Sequence, residues 1–435
     1  MKRQQRNTFR IWQPNTERCV EIPALSWLIF FVCFIAAPIP LHASHITAPV
    51  SSNKSTSAQS AAPKQTTMLG TTQTVSALSS GGLGASVSSF NIQSFQADLF
   101  TGSAGADIPI LVPAGAAGVA PKILLSYNSG VVDDLAVDND PDQADWTGLG
   151  WTLDTGGFIL RDTKGTTSTS DDTFKLIFGG HTYELVSIGS GNYRTKDETF
   201  MAINYVSAND YWTVKTKDGI THRFGYTSNS RATGLTFGPN IEVPVTFRYY
   251  VDEVSTSSGV SVRYNYFKQS SSYNGKAYDQ AVYPDTITYA YRNGSLIGNP
   301  RTVTFIRGAR TDWKDVSPTW HTSYHQLYRL DAIEVKVKAR LVRRYNFTYD
   351  YSIDRDPNQS WQGGATGDLT LKSVTMLGAD GTTAMPPIAF TYTGPVLASA
   401  SNGIGGSVSF TYERIKPLYN VYTTVFRYDE NGVMC

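Results

Sequence analysis

The chain has 435 residues, enough for one large or two ordinary domains, and a formal net charge of +1. Charged residues make up only 17%, whereas 25 Tyr, 20 Phe and 37 Gly favour strands and tight turns over helices. The near-neutral balance excludes the broad basic footprint of a nucleic-acid binder.

The N-terminus reads as an export signal. Lys2, Arg3, Arg6, Arg10 and Arg18 precede an uncharged apolar run from Ala24 to Ala37. Small residues around Ala43 then offer a cleavage point, so residues 1–43 are expected to be a signal peptide. The run falls short of the ~20 apolar residues of a membrane-spanning helix. An uncleaved anchor is the alternative, and either reading puts the body in a secreted, extracellular or envelope-associated location. Removing five basic and two acidic residues with the signal leaves a net charge of −2. Cys19 and Cys33 lie in the signal and Cys435 is the last residue, so no disulfide framework holds the body. An apolar core must hold it instead.

Residues 44–90 are rich in Ser, Thr, Ala and Gln and lack periodic apolar positions. They are expected to form a disordered spacer, because they bury too little to offset the entropy of ordering. Ordered sequence begins near Phe90.

The stretch from Gly102 to Arg161 organises the rest of the chain. Apolar runs Ile108–Val112 and Ile123–Tyr127 flank a Pro/Gly/Ala turn, and the second ends in Asn128-Ser129-Gly130. After an acidic loop comes Gly148-Leu149-Gly150-Trp151-Thr152-Leu153, then Gly156-Gly157 and Phe158–Arg161. Trp151, with glycines that let neighbouring backbone approach its ring, is the surest core residue.

Further strands are predicted at 174–178, 182–187, 211–216, 222–226, 246–254, 261–267, 285–291 and 302–307. Turns such as Lys217-Asp218-Gly219 and Asn293-Gly294 separate them. This spacing gives an all-β antiparallel meander or sandwich, not βαβ units. A short helix is expected near Pro318–Leu330. The last third repeats an aromatic strand: Tyr345–Asp350, Ala389–Tyr392, Ser409–Glu413 and Val425–Asp429. In each, aromatic residues two apart share one face of a sheet. Repetition of this kind implies stacked similar hairpins. The last copy runs into Asp429-Glu430-Asn431-Gly432, a tight turn, and the repeat is expected to continue past Cys435.

These residues resemble a known family. Ile108-Pro109-Ile110, Val112-Pro113 with Gly115, Pro121 through Ser126-Tyr127-Asn128-Ser129-Gly130, Gly148-Leu149-Gly150-Trp151 with Leu153, and Ile159 with Arg161 match it in order and spacing. The family is the SpvB-type N-terminal domain, which also opens the B component of insecticidal toxin complexes and many Rhs/YD-repeat proteins. Asp218-Gly219 before Phe224-Gly225, Leu371–Val374 before Asp380-Gly381 and Pro386–Tyr392, and the YD-like Tyr428–Gly432 are similar to later hallmarks. Toxin-complex members carry FG-GAP repeats after the Phe-Thr-Tyr segment, and these are not seen here. The resemblance implies an SpvB-like domain over 91–395 and the start of a Rhs/YD-repeat region over 396–435. It implies a non-catalytic scaffold that helps form a β-shell around a C-terminal cargo. Expected partners are the downstream shell and cargo of the same polypeptide, with a surface receptor or glycan also open. The alternative function is a cell-surface adhesion or carbohydrate-binding module.

Candidate chemistry is sparse. Asp138, Asp140 and Asp142 alternate in the acidic loop and could direct hard oxygens at Ca²⁺, although the glycine and closing Glu of an EF-hand are missing. A solvated loop is the plainer reading. His321 and His325 are four apart without a third ligand, and His181 and His222 read as half-buried strand residues. No nucleophile elbow, P-loop or dinucleotide fingerprint occurs, so no enzyme and no cofactor are expected. Adjacent Asp171 and Asp172 do not suit paired acid/base work. The tryptophans 146, 151, 212, 313, 320 and 361 could stack on sugars, but core packing is the default for such rings.

Overall fold

A computed structural model of the chain describes residues 8–13, 18–23, 94–97, 103–130, 143–238, 241–313, 325–354 and 364–412. Two compact units are present, one of Met1–Thr47 with Thr411–Cys435 and one of Ala48–Phe410. In the first, β1 (Thr8–Gln13) and β2 (Arg18–Pro23) form an antiparallel pair, Thr8 opposite Pro23. The apolar run Ala24–Ala37 and the spacer up to residue 90 lie outside the described residues.

The second unit is all β. Its opening block is a four-stranded antiparallel sheet of β3 (Ser94–Ala97), β4 (Ala104–Pro109), β5 (Leu124–Asn128) and β6 (Trp151–Asp154). Burial alternates along β4, as a two-residue period with one covered face requires. Gly156 and Gly157 then turn the chain out of this sheet. At Gly157 φ is +84°, and a Cβ would stand 2.3 Å from the Ile177 carbonyl oxygen, so only glycine fits.

Seven short strands come next: β7 (Phe158–Asp162), β8 (Thr173–Phe178), β9 (His181–Gly189), β10 (Asn192–Thr195), β11 (Ala202–Val206), β12 (Tyr211–Lys215) and β13 (Thr221–Phe224). Each pairs antiparallel with the next. After β14 (Arg231–Gly238), the long β15 (Ile241–Ser255) closes the circuit. Phe224 and Thr221 of β13 pair with its Val251 and Ser255, and Arg248–Tyr250 pair with Phe158–Leu160 of β7. The result is an eight-stranded ring of β7–β13 and β15. A ring of about eight strands is just wide enough to be filled by side chains. Trp212, fully buried, fills it with Phe174, Tyr193 and Tyr205, ring centroids 4.7–4.8 Å away.

From the other edge of β15 an antiparallel ladder continues through β16 (Val260–Tyr273), β17 (Lys276–Arg292), β18 (Ser295–Ala309), β19 (Tyr328–Val337), β20 (Arg340–Ile353) and β21 (Asp368–Leu377). It ends with β22 (Ile388–Thr393), β23 (Val396–Ser401) and β24 (Ser407–Ser409). Every neighbouring pair is a hairpin ladder. The strands predicted between 174 and 307 all exist, and those of the ladder are longer than the sequence pattern marked, whereas of the aromatic copy Ser409–Glu413 only Ser409 is in a strand and Val425–Asp429 lies outside the described residues. Bulges let long twisted strands keep their apolar residues on one side, as at Ser261/Val262 and Asn265/Tyr266.

The helix expected near 318–330 is not formed at its described end. Tyr328–Leu330 open β19, where Leu330 is fully buried as a core strand residue. Helical structure among the described residues is confined to short 3-10 turns, such as Ala116–Gly118 and Ser228–Ser230. Among these residues no helix is long and apolar enough to cross a membrane.

Candidate functional site

The opening block lies against the ladder, and the Gly-Leu-Gly-Trp motif makes the seat. Gly150 has φ +77°, and a Cβ there would come within 2.5 Å of the Tyr127 ring. That close approach lets Trp151 pack between Tyr127 and Phe390, at 5.2 and 4.7 Å between ring centroids. The Trp151 indole donates to Tyr392 Oη at 2.9 Å, and Tyr392 donates to the Leu371 carbonyl at 2.7 Å. Backbone contacts flank this centre: Leu149 N–H to Leu369 O at 2.8 Å and Leu330 N–H to Trp146 O at 3.0 Å.

Tyrosine hydroxyls make most of the remaining joints. Leu397 N–H donates to Tyr127 Oη at 2.7 Å, and Leu111 N–H donates to Tyr345 Oη at 3.0 Å. Tyr289 donates to the Pro113 carbonyl at 2.8 Å. Burial pushes the Tyr289 hydroxyl up to about 12 and raises Tyr345 and Tyr392 as well, so all three remain neutral donors. The repeated aromatic strands are expected from sequence to be packing surfaces. Their period-two spacing does put Tyr345, Phe347 and Tyr349 on the covered face. The tyrosine tips among them are the receptor for the opening block; Tyr where Phe would pack as well, as at Tyr345 and Tyr392, is the signal in the sequence.

Beside this seat is a buried polar tie. Arg310 and Asp312, both fully buried, pair through two contacts of 2.7 Å. Arg310 also donates to the Ala144 carbonyl at 2.9 Å, while Asp312 accepts from Leu369 N–H at 2.6 Å. The Gln143 side-chain amide donates to the Gln326 carbonyl at 2.9 Å and accepts from the Gln326 N–H at 2.6 Å. Asp145 is buried next to them, and the loss of water raises its carboxyl above the usual range.

A cavity of about 1200 Å³ opens between the opening block, the ring and the ladder. Apolar side chains such as Phe158, Phe178 and Phe247 line it together with Lys122, Asp145, Asp154 and Arg248.

The residues nominated from the sequence do not converge on one site. Asp138, Asp140 and Asp142 lie outside the described residues, as do His321, Trp320 and Trp361. Among the described residues no cluster of three or more His, Cys, Asp or Glu is arranged to hold a metal. His325 stacks on Trp313 at 5.1 Å. His222 is half-buried against Phe178, and burial holds its imidazole down to about 4. His181 is exposed rather than half-buried, because it begins β9 at the rim of a turn. Asp171 is exposed and accepts from Thr166, whereas Asp172 is paired with Arg161. Trp146, Trp151 and Trp212 are buried core residues, as packing predicts.

No family model and no curated protein sequence matches this chain. Solved structures do share similarity with it. One is the crystal structure of TcdB2-TccC3-TEV, at 18% identity and TM-score 0.48, covering 72% of this chain and 17% of that one. Another is a Tc holotoxin pore of Photorhabdus luminescens, at 17% identity and TM-score 0.44, covering 67% and 16%. A third is the N-terminal domain of the effector protein SpvB from Salmonella typhimurium strain LT2, at 17% identity and TM-score 0.39, covering 62% and 98%. The chain thus spans about a sixth of the toxin-complex chains it is similar to. These are toxin-complex and SpvB structures, the same kinds that the sequence motifs resemble.

Proposed function

We propose that this chain is the N-terminal, non-catalytic scaffold of an exported Rhs/YD-repeat protein. In this reading it helps to start a β-shell that encloses a C-terminal cargo of the same polypeptide. The observation that carries it is the seat itself. The motif-bearing block is gripped by tyrosines 289, 345 and 392 of a ladder whose hairpins repeat one aromatic pattern. Such a ladder grows by adding hairpins, each relying on its neighbour for a core. The chemistry of the seat is also structural: neutral hydroxyls, backbone groups and a closed ion pair, all engaged with protein partners.

The adhesion reading would rest on exposed aromatic rings stacking on sugars. Trp146, Trp151 and Trp212 are buried and unavailable for that. Limited proteolysis of the protein from its complete reading frame tests the scaffold proposal. The expected result is a C-terminal segment that resists protease in the native protein and is cut at once when the seat is weakened by Trp151→Ala. A C-terminal segment cut equally fast in both would overturn it.

A further inference from the structure

The cavity at the junction of block, ring and ladder contains an arginine in an unusual position. Arg161, Arg223, Arg263, Arg307, Arg329 and Arg344 each pair with a carboxylate. Arg248 does not. It lies mid-strand in β15, where it pairs across to Leu160 and Ala232 through the backbone. Its guanidinium lies over the Phe158 ring at 4.5 Å, with Phe247 and Tyr250 each at 5.9 Å. Its one hydrogen bond runs to Tyr250 Oη at 3.3 Å, and its Nε is buried without a partner. A guanidinium has five N–H donors in a planar fork suited to an acid group, so most of this fork is unused.

Among the described residues no carboxylate of the cavity touches the Arg248 fork directly, although the buried Asp145 feels its charge through space. Asp145 accepts from Gln326 and Thr147, and Asp154 accepts from Gly156 N–H. Asp107 accepts from Ser126, and Asp279 is held by Lys268, Ser270 and the Thr233 N–H. Lys122, on the exposed rim of the same cavity, also makes no ion pair among the described residues. The remaining wall is largely apolar, with Phe158, Phe178, Leu235, Val245, Phe247 and Val282. An apolar pocket with a few convergent polar groups is the usual form of a small-ligand site.

We propose that this cavity binds a small organic anion with an apolar body, its acid group held by the Arg248 fork and attracted by Lys122. The aromatic rings around Arg248 hold the guanidinium flat and would flank the ligand's body. Nothing in the scaffold role requires such a ligand, so this inference stands independently of that reading.

Titration calorimetry of the purified chain with 2-naphthoate and with its neutral counterpart 2-naphthamide tests the proposal. One naphthoate is expected to bind per chain, about tenfold or more tighter than naphthamide, the gain of a charge-assisted hydrogen bond. Arg248→Met should remove that preference and leave naphthamide affinity within about twofold. Lys122 is exposed, so Lys122→Gln should keep the fold and weaken naphthoate alone, by about threefold. Equal affinity of the native chain for the two probes would overturn the proposal, whatever the variants do. Absence of saturable naphthoate binding at millimolar concentration would do the same.

Discussion

Single residues in this protein act through what burial does to their polar atoms. His222 shows this in the ring. Its side chain packs edge-on to Phe178 at 4.7 Å, and its Nδ1 is buried without a partner. Burial disfavours the imidazolium and holds the folded-state value down to about 4, against 6.5 for an ordinary histidine. The unfolded chain therefore binds a proton more readily between these values. The ring is fully stable on this account above about pH 6.5 and loses stability as pH falls toward 4, on the order of 2 kcal/mol. His222→Phe should flatten that part of the profile, read as the midpoint of urea unfolding from pH 4 to 7. An unchanged slope in the variant would show that other groups cause the acid sensitivity. Asp145 has the opposite sign: its raised carboxyl favours the acid form, so its contribution is present at low pH and declines as pH rises.

At the scale of elements, the opening block is a small sheet that cannot stand alone. A four-stranded sheet with one covered face needs a second layer, and the ladder supplies it. Trp151 is the centre of that contact. Trp151→Ala removes a fully buried indole between Tyr127 and Phe390 and should cost about 3–5 kcal/mol. Tyr392→Phe keeps the ring but leaves the indole N–H without its acceptor, and should cost about 1–2 kcal/mol. The two measured together by denaturant unfolding separate packing from hydrogen bonding. A Tyr392→Phe cost equal to that of Trp151→Ala would mean that the hydrogen bond, not the buried ring, holds the block. The ladder's other face is organised differently, by cross-strand charge pairs. Glu253 stands directly opposite Arg263, and Glu334 opposite Arg344, and each pair is joined at about 3 Å. Exposed pairs of this type contribute little to stability, and they help set strand register.

At the scale of the second unit, three sequence-distant segments meet on one ion pair. Arg310 holds the Ala144 carbonyl of the opening block, and its partner Asp312 holds the Leu369 N–H at the start of β21. Arg310→Met leaves a buried carboxylate uncompensated and should cost about 3–5 kcal/mol. Hydrogen exchange should show the loss first in the amides of 145–151 and 369–371, not in the ring. Uniform loss across the unit would mean that the pair supports a general core and does not tie these segments. The ring is closed by β15 alone, which serves β13 and β14 on one edge and β7 and β16 on the other. That single strand makes ring and ladder one continuous sheet system.

Much of this was legible in the residues. The turn signals and the aromatic pairs determine β-strands and their covered faces, because side-chain direction along a strand depends only on parity, although the run Ile108–Val112 marked the first of them late: β4 is Ala104–Pro109. The glycines of Gly148-Leu149-Gly150-Trp151 likewise marked a backbone approach that no side chain permits. Closure of the ring was not legible, since the pairing of β7 with β15 joins residues about ninety positions apart and local pattern carries no information on distant registry. The same holds for what two arginines do. Arg310 meets Asp312 two residues on, but that the pair ties Ala144 to Leu369 is decided by the fold, as is the position of Arg248 facing a cavity.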